Sequence, residues 1–139
     1  MDANFSRKVE EILAKDSRYK PDAYEFVMQA LWFTQKKSKQ PGHISGRQLL
    51  EGIKKFAIRQ YGPMAKAVFR HWGVGVTGDF GEIVFNMINA GLMRKSAEDK
   101  RSDFDGVYDF DTALDVFRTD KRKTRTDKML EDEKENLLS

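Results

Sequence analysis

Apolar residues recur every three or four positions along most of the chain, a pattern typical of α-helices that bury one face. The pattern predicts five helices, over residues 4–15, 21–38, 45–61, 63–72 and 79–90. The second is apolar around most of its circumference, which favours a central place in the domain. We expect the buried core to include Phe26, Leu31, Trp32, Ile53, Phe56, Phe69, Trp72, Ile83, Val84 and Ile88.

Residues that begin and end helices support these boundaries. Ser45 and Gln48 form a capping box, in which each side chain accepts a hydrogen bond from the backbone N–H of the other. Asp79 and Glu82 predict a second cap of this kind. The segment Gly73–Gly78 matches G-x-G-x-x-G. Because a helix and not a strand precedes it, we interpret it as a helix C-terminus followed by a link, not as a dinucleotide site.

The pattern changes after the fifth helix. Residues 92–95 and 107–110 favour short strands, since apolar and polar residues alternate in the second of them, and together they predict a β-hairpin. Residues 112–117 predict a last helical turn. The predicted fold is therefore mainly α, with a single domain over residues 1–117 that contains about five helices and a small C-terminal β-hairpin. The order of its elements is winged-helix-like.

A charged tail follows the predicted domain, over residues 118–139. Its first half, residues 118–128, has six basic and two acidic side chains, and residues 129–139 have four acidic and one basic. The tail has few apolar side chains, and their burial cannot offset the conformational entropy that the segment would lose on folding. We expect the tail to be disordered or docked through Leu130 and Leu137 in an apolar groove, either of its own domain or of a neighbouring copy, with a homodimer favoured.

Composition excludes several classes of site. The 139 residues contain no cysteine and only two histidines. The absence of cysteine excludes disulfides, thiolate metal sites and thiol catalysis. The net charge of +3 is too small to require nucleic acid or a membrane. Neither a secretory leader nor a membrane-spanning apolar run is visible. We therefore expect a cytoplasmic protein without membrane attachment, cofactor or bound metal.

One group of candidate residues lies on the fifth predicted helix and at the end of the fourth. Gly81 falls inside the predicted first turn, where glycine costs about 1 kcal/mol relative to alanine, so another backbone or a ligand is expected to approach closely. Three polar residues that a core does not require accompany it. The candidate surface or pocket consists of His71, Gly81, Glu82 and Asn86. Acid–base catalysis by His71 with Glu82 is the least favoured hypothesis, so an enzyme is not expected, and no catalytic residue is assigned.

A second group consists of basic residues that could contact nucleic acid. They lie on the third helix and in the tail: Arg47, Lys54, Lys55, Arg59, Lys121, Arg122, Lys123 and Arg125. Asp79 and Glu82 argue against DNA reading by the fifth helix, because carboxylates at the N-terminus of a recognition helix repel phosphates. Nucleic-acid binding by a winged-helix-like protein is therefore the alternative function.

Several sequence strings together resemble a known family. They are R-Y-x-x-x-A-Y-x-F-V (18–27), H-x-S-G-x-x-L-L-x-G-I (43–53), Y-G-P-M-A (61–65), H-W-G-V (71–74) and T-x-D-F-G-E-I-V-F-N (77–86). They resemble a family of short, functionally uncharacterised bacterial proteins known mostly from planctomycete and verrucomicrobial genomes. The resemblance covers roughly residues 5–117. It implies one domain of about this length from a bacterium, and it supplies no catalytic residues.

The leading functional hypothesis is thus a small, non-enzymatic interaction module of the cytoplasm. Its partner would be another protein or a second copy of the chain. Such a module needs an exposed apolar or mixed surface, whereas nucleic-acid binding needs the basic residues of the third helix to align with those of the tail.

Overall fold

The computed structural model describes residues 3–38, 42–94 and 100–117. This part of the chain is mainly helical. It contains α1 (Ala3–Lys15), α2 (Pro21–Lys37), α3 (Gly46–Tyr61), α4 (Ala65–His71), α5 (Thr77–Asn89) and the single turn α6 (Phe110–Ala113), with 3-10 turns at Gly62–Met64 and Arg101–Phe104. The five longer helices match the predicted ones to within two residues at each end. The predicted tail lies outside the described residues.

Aromatic side chains hold the helices together around α2. The ring of Phe26 lies 5.2 Å from that of Trp72, 5.4 Å from that of Phe56 and 5.7 Å from that of Phe69, measured between centroids. Phe69 in turn makes an edge contact with Phe80 at 5.1 Å. Because α2 packs on both α3 and α5, this cluster ties α3, α4 and α5 to one central helix.

The chain after α5 is held to the domain by a buried phenylalanine and a buried hydroxyl. Phe104 fits over Gly46 and Gly81, where a Cβ atom would come within 2.9 and 2.8 Å of it. The Thr77 hydroxyl, which is fully buried, donates to the Phe104 carbonyl at 2.6 Å and accepts from Val107 N–H at 3.1 Å. These contacts fix the 3-10 turn against α3 and α5.

The predicted β-hairpin is not confirmed, because no residue of 92–94 or 107–110 lies in a strand. Gly91, at φ +81°, ends α5, and Leu92 N–H donates back to the Met87 carbonyl. Residues after the helix therefore complete its C-terminal cap. The alternation over 107–110 has another origin. The half-buried Tyr108 donates its hydroxyl to the Leu50 carbonyl at 2.5 Å, and Asp109 caps α6. The winged-helix-like fold is consequently not confirmed either, because the described residues do not form the β-hairpin that would be its wing.

One core prediction is wrong. Trp32 is 48% exposed, whereas Phe26, Ile53, Phe69, Trp72, Ile83 and Val84 are buried. Leu31, Phe56 and Ile88 are partly buried and pack against the core. The buried face of α2 is formed by Ala23, Tyr24, Phe26, Val27 and Ala30. Trp32 lies three residues beyond Gln29 and four before Lys36, so helical periodicity places it on the polar strip of α2.

Crossing a bilayer needs a long, apolar helix, and no helix within the described ranges meets both requirements.

Candidate functional site

A polar network crosses the outer face of α5. The Arg18 guanidinium makes two hydrogen bonds to Asp16, at 2.9 and 2.7 Å, and reaches Glu82 Oε1 at 3.2 Å. Arg101 donates to the same Glu82 oxygen at 2.8 Å. The network thus links the segment between α1 and α2, the helix α5 and the 3-10 turn at Arg101–Phe104. Its carboxylates are paired, and this arrangement favours holding segments in place over proton transfer.

Asn86 continues this network into the protein. Its amide donates to Asp16 at 3.0 Å and to the Tyr24 hydroxyl at 3.1 Å. The hydrogen bonds from Arg18 hold the pKa of Asp16 well below its ordinary value, with the Asn86 amide acting in the same direction. Burial raises the pKa of Tyr24. Asp16 is therefore charged and Tyr24 neutral near neutral pH.

Asp79 has a different role from the predicted one. The helix begins at Thr77, so Asp79 is its third residue, and its carboxylate accepts from the backbone N–H groups of Gly75 and Val76 at 2.8 and 3.1 Å. Its other oxygen accepts from the Tyr19 hydroxyl at 2.6 Å. Burial and this hydrogen bond raise the pKa of Tyr19. Asp79 therefore secures the start of α5 without Glu82 as a capping partner.

The four candidate residues around α5 separate into three places. Glu82 and Asn86 meet in the polar network through Asp16 and Arg18. Gly81 packs on Phe104, so the close approach that its position predicted is made by the chain itself. His71 is exposed at the end of α4. Among the described residues, no hydrogen bond or ion pair joins His71 to Glu82, and the two do not form an acid–base pair in this structure.

The basic candidates on α3 also have different surroundings. Arg47 and Lys55 are exposed. Lys54 pairs with Glu51 at 2.9 Å and lies 5.4 Å from the centroid of the Tyr108 ring. Arg59 lies over the ring of Phe33 at 5.8 Å. The tail candidates Lys121, Arg122, Lys123 and Arg125 fall outside the described residues, so their alignment with α3 stays a prediction.

A pocket opens between α2, α5 and the beginning of α3. Its volume is about 570 Å³, in the range of pockets that hold a ligand or the side chains of a partner. The walls come from four separate stretches of the chain, residues 31–35, 42–49, 84–94 and Phe104, and are mainly apolar. The apolar side chains that line it are Leu31, Ile44, Leu49, Val84, Phe85, Ile88, Leu92, Met93 and Phe104.

Polar groups of the pocket lie at its edges. Gln35 and Ser45 line it on the side of α2 and α3, and His43 and the exposed Arg94 stand at the rim. No aspartate or glutamate is among the described residues that line it. Arg101 lies 5.0 Å from the ring of Phe85, on the boundary with the polar network. Among the described residues, the pocket therefore combines an apolar interior with one exposed arginine, Arg94, at its edge.

Sequence reasoning missed this pocket. Its residues are separated by up to 73 positions, from Leu31 to Phe104, and only tertiary packing brings them together. The signal in the sequence was the run Gly91-Leu92-Met93, because apolar residues follow a glycine that ends a helix and have no helical face on which to be buried. Leu92 and Met93 instead belong to the strand predicted over residues 92–95.

Comparisons of the chain with protein-family models, curated proteins and solved structures yield no match. The resemblance to the planctomycete and verrucomicrobial family accordingly stays a prediction, and the function has to be argued from the geometry.

Proposed function

We propose that this protein is a non-enzymatic interaction module whose pocket receives apolar side chains of a protein segment. The observation that carries the proposal is the pocket of about 570 Å³ between α2, α5 and the beginning of α3. Leu31, Ile88 and Leu92 line it and are only partly buried. Covering them with a partner would remove apolar surface from water, at about 25 cal/mol for each Å².

The charge of Arg94 favours a partner segment that carries acidic side chains. Arg94 is exposed at the edge, and no carboxylate of the described residues faces it across the pocket. A segment with apolar anchors flanked by acidic side chains would complement both the interior and the rim. Residues 129–139 of this chain have that composition, with Leu130 and Leu137 among Glu131, Asp132, Glu133 and Glu135. A second copy of the chain is therefore one candidate partner.

A binding measurement with a defined peptide tests the proposal. The probe is a fluorescent peptide of residues 126–139, and the protein is the full chain carrying Leu130→Ser and Leu137→Ser, so that its own tail does not compete. We expect saturable binding that Leu92→Asp abolishes and Arg94→Glu weakens. Met64→Asp is the control, because Met64 is an exposed apolar residue outside the pocket.

Two results would contradict the proposal. One is the absence of saturable binding to this peptide and to a set of peptides with the same leucine spacing but neutral or basic flanks. The other is binding that Leu92→Asp and Met64→Asp change equally. Thermal unfolding of each variant shows whether the substitution has altered the fold itself.

The winged-helix-like nucleic-acid alternative has less support. The order of the helices agrees with it, but Asp79 and Glu82 lie at the start of α5 and the described residues supply no hairpin. Binding of duplex DNA that falls steeply with salt and depends on Arg47 and Lys55 would favour this alternative.

A further inference from the structure

Trp32 marks a second surface, on the opposite edge of α2 from the pocket residue Leu31. It is 48% exposed, which is unusual for so large an apolar side chain. A shallow depression beside it is formed by residues of α2 and α3. We call this surface the aromatic–basic patch; it consists of Gln29, Trp32, Phe33, Lys36, Lys37, Phe56, Arg59 and Gln60.

Contacts with the ring of Phe33 hold two cations within the patch. Lys37 Nζ lies 5.2 Å from the centroid of Phe33, and the Arg59 guanidinium lies 5.8 Å from the same centroid. Phe33 is itself fixed by Phe56, with 5.1 Å between centroids. One ring therefore positions two positive charges, and neither charge has a carboxylate partner among the described residues.

The described residues of the patch carry charges of one sign. Lys36, Lys37 and Arg59 are exposed cations, and no acidic side chain is among the described residues that line the depression. Glu51, on the same helix as Arg59, is paired with Lys54. The other polar side chains of the patch are the amides of Gln29 and Gln60, which can both donate and accept hydrogen bonds. The patch therefore attracts anions and also offers polar groups to a ligand.

We infer that the aromatic–basic patch binds single-stranded nucleic acid. An unpaired base can stack on the exposed face of Trp32, while phosphates on either side contact Lys36, Lys37 and Arg59. The glutamine amides can contact base edges. This combination of an aromatic platform and a positive surface is how proteins bind single strands without strong sequence preference.

Other occupants fit the patch less well. A membrane surface would need a wide apolar face that sinks into the lipid, whereas Trp32 is the only aromatic side chain of the patch that is more than a third exposed. A duplex buries its bases and leaves Trp32 without a stacking partner. The inference is independent of the proposed pocket function, because the two surfaces share no residue.

Fluorescence anisotropy of a labelled oligothymidylate tests the inference in the full chain. An oligonucleotide of about twelve nucleotides is within the usual size of single-strand sites. Trp32→Ala should weaken binding roughly fivefold or more and leave its salt dependence unchanged, because stacking releases no counterions. Trp32→Phe should restore part of the affinity.

Removing lysines of the patch should, unlike Trp32→Ala, change the salt dependence of binding. Lys36→Ala with Lys37→Ala should lower the slope of log affinity against log salt by about 0.7 for each phosphate that the protein no longer neutralises. The matched control is Lys15→Ala with Lys20→Ala, which removes the same charge from exposed positions outside the patch. Met64→Ala is the control for Trp32, since Met64 is 60% exposed elsewhere. All variants keep the basic residues of the tail.

Three results would overturn the inference. The first is no binding of the oligonucleotide at low salt. The second is equal affinity of Trp32→Ala, Met64→Ala and the unchanged protein, which would assign binding to the tail. The third is binding to phosphatidylserine vesicles without binding to the oligonucleotide, which would assign the patch to a membrane surface.

Discussion

At the scale of single residues, Thr77 joins two parts of the chain through one hydroxyl. Its buried hydroxyl satisfies the Phe104 carbonyl and the Val107 N–H together. Thr77→Val keeps the shape and removes both hydrogen bonds, so we expect a loss of about 1–3 kcal/mol for each group left without a partner. Thr77→Ser should retain most of the stability. Denaturant unfolding measures both, and equal stability of the valine and serine variants would show that the hydroxyl contributes nothing.

Gly81 offers a second test at this scale. A Cβ at this position would lie 2.8 Å from the Cβ of Phe104, which its buried ring and the 3-10 turn hold in place. We expect Gly81→Ala to destabilise the fold by about 1–3 kcal/mol through overpacking, more than the gain in helix propensity of up to about 1 kcal/mol.

Gly78→Ala is the matched control for Gly81→Ala, because both glycines lie in the first turns of α5. At Gly78 the new methyl group would meet the end of the exposed Asp105 side chain at 3.1 Å and Val76 in ordinary contact at 4.0 Å. The unfolding free energy of the Gly78→Ala variant should stay unchanged or rise. Equal effects of the two substitutions would contradict the close packing of Phe104 on α5.

At the scale of elements, the polar network predicts a pH dependence of stability. The pKa of Asp16 in the folded state lies below its ordinary value of 3.8. A lowered pKa means that the charged form stabilises the fold above pH 3.8, and that this stabilisation is lost as the pH falls below it. Arg18 is half exposed, so the contribution should be about 1 kcal/mol or less.

Asp16→Asn should therefore lower the thermal midpoint at pH 7 and have a progressively smaller effect below pH 4. Glu10→Gln, at an exposed position of α1, should leave the thermal midpoint unchanged both at pH 7 and below pH 4. If the effect of Asp16→Asn were constant from pH 7 to pH 2, its cause would be packing and not charge.

Elements differ in how far the sequence predicts them. The helices α2, α3 and α5 follow from apolar periodicity, and the capping box of Ser45 and Gln48 forms as expected, because these signals are local. The hairpin expected over residues 92–95 and 107–110 is not confirmed. The backbone N–H groups of Leu92 and Val107 donate to Met87 and Thr77 instead, and the Tyr108 hydroxyl donates to the Leu50 carbonyl. Two of these three partners lie far away in the sequence. Such contacts leave the same alternating pattern as a strand.

The candidate site was only partly predictable for the same reason. The sequence indicates Glu82 and Asn86 as polar residues that a core does not require, but their partners lie more than 60 positions away. The expectation that Trp32 lies in the core comes from the apolar residues that cover most of the circumference of α2. The place of Trp32 on the polar strip with Gln29 and Lys36 is the stronger signal, because helical phase decides which residues face water.

At the scale of the whole molecule, α2 separates two surfaces of different character. Leu31 contributes to the apolar pocket and the next residue, Trp32, to the aromatic–basic patch. Successive residues of a helix differ by about 100° in direction, so a single helix can serve both surfaces. Since they share no residue, substitutions in one should leave binding at the other unchanged.

The methyl groups of methionine provide the most direct test of the pocket as an interaction site. Met93 lines the pocket and Met64 is exposed outside it. In the full chain with Leu130→Ser and Leu137→Ser, labelled at the methionine methyls, adding the 126–139 peptide should shift the Met93 resonance until it saturates. The Met64 resonance should not move. Peptide binding with Met93 unmoved, or equal shifts at both methionines, would contradict the account.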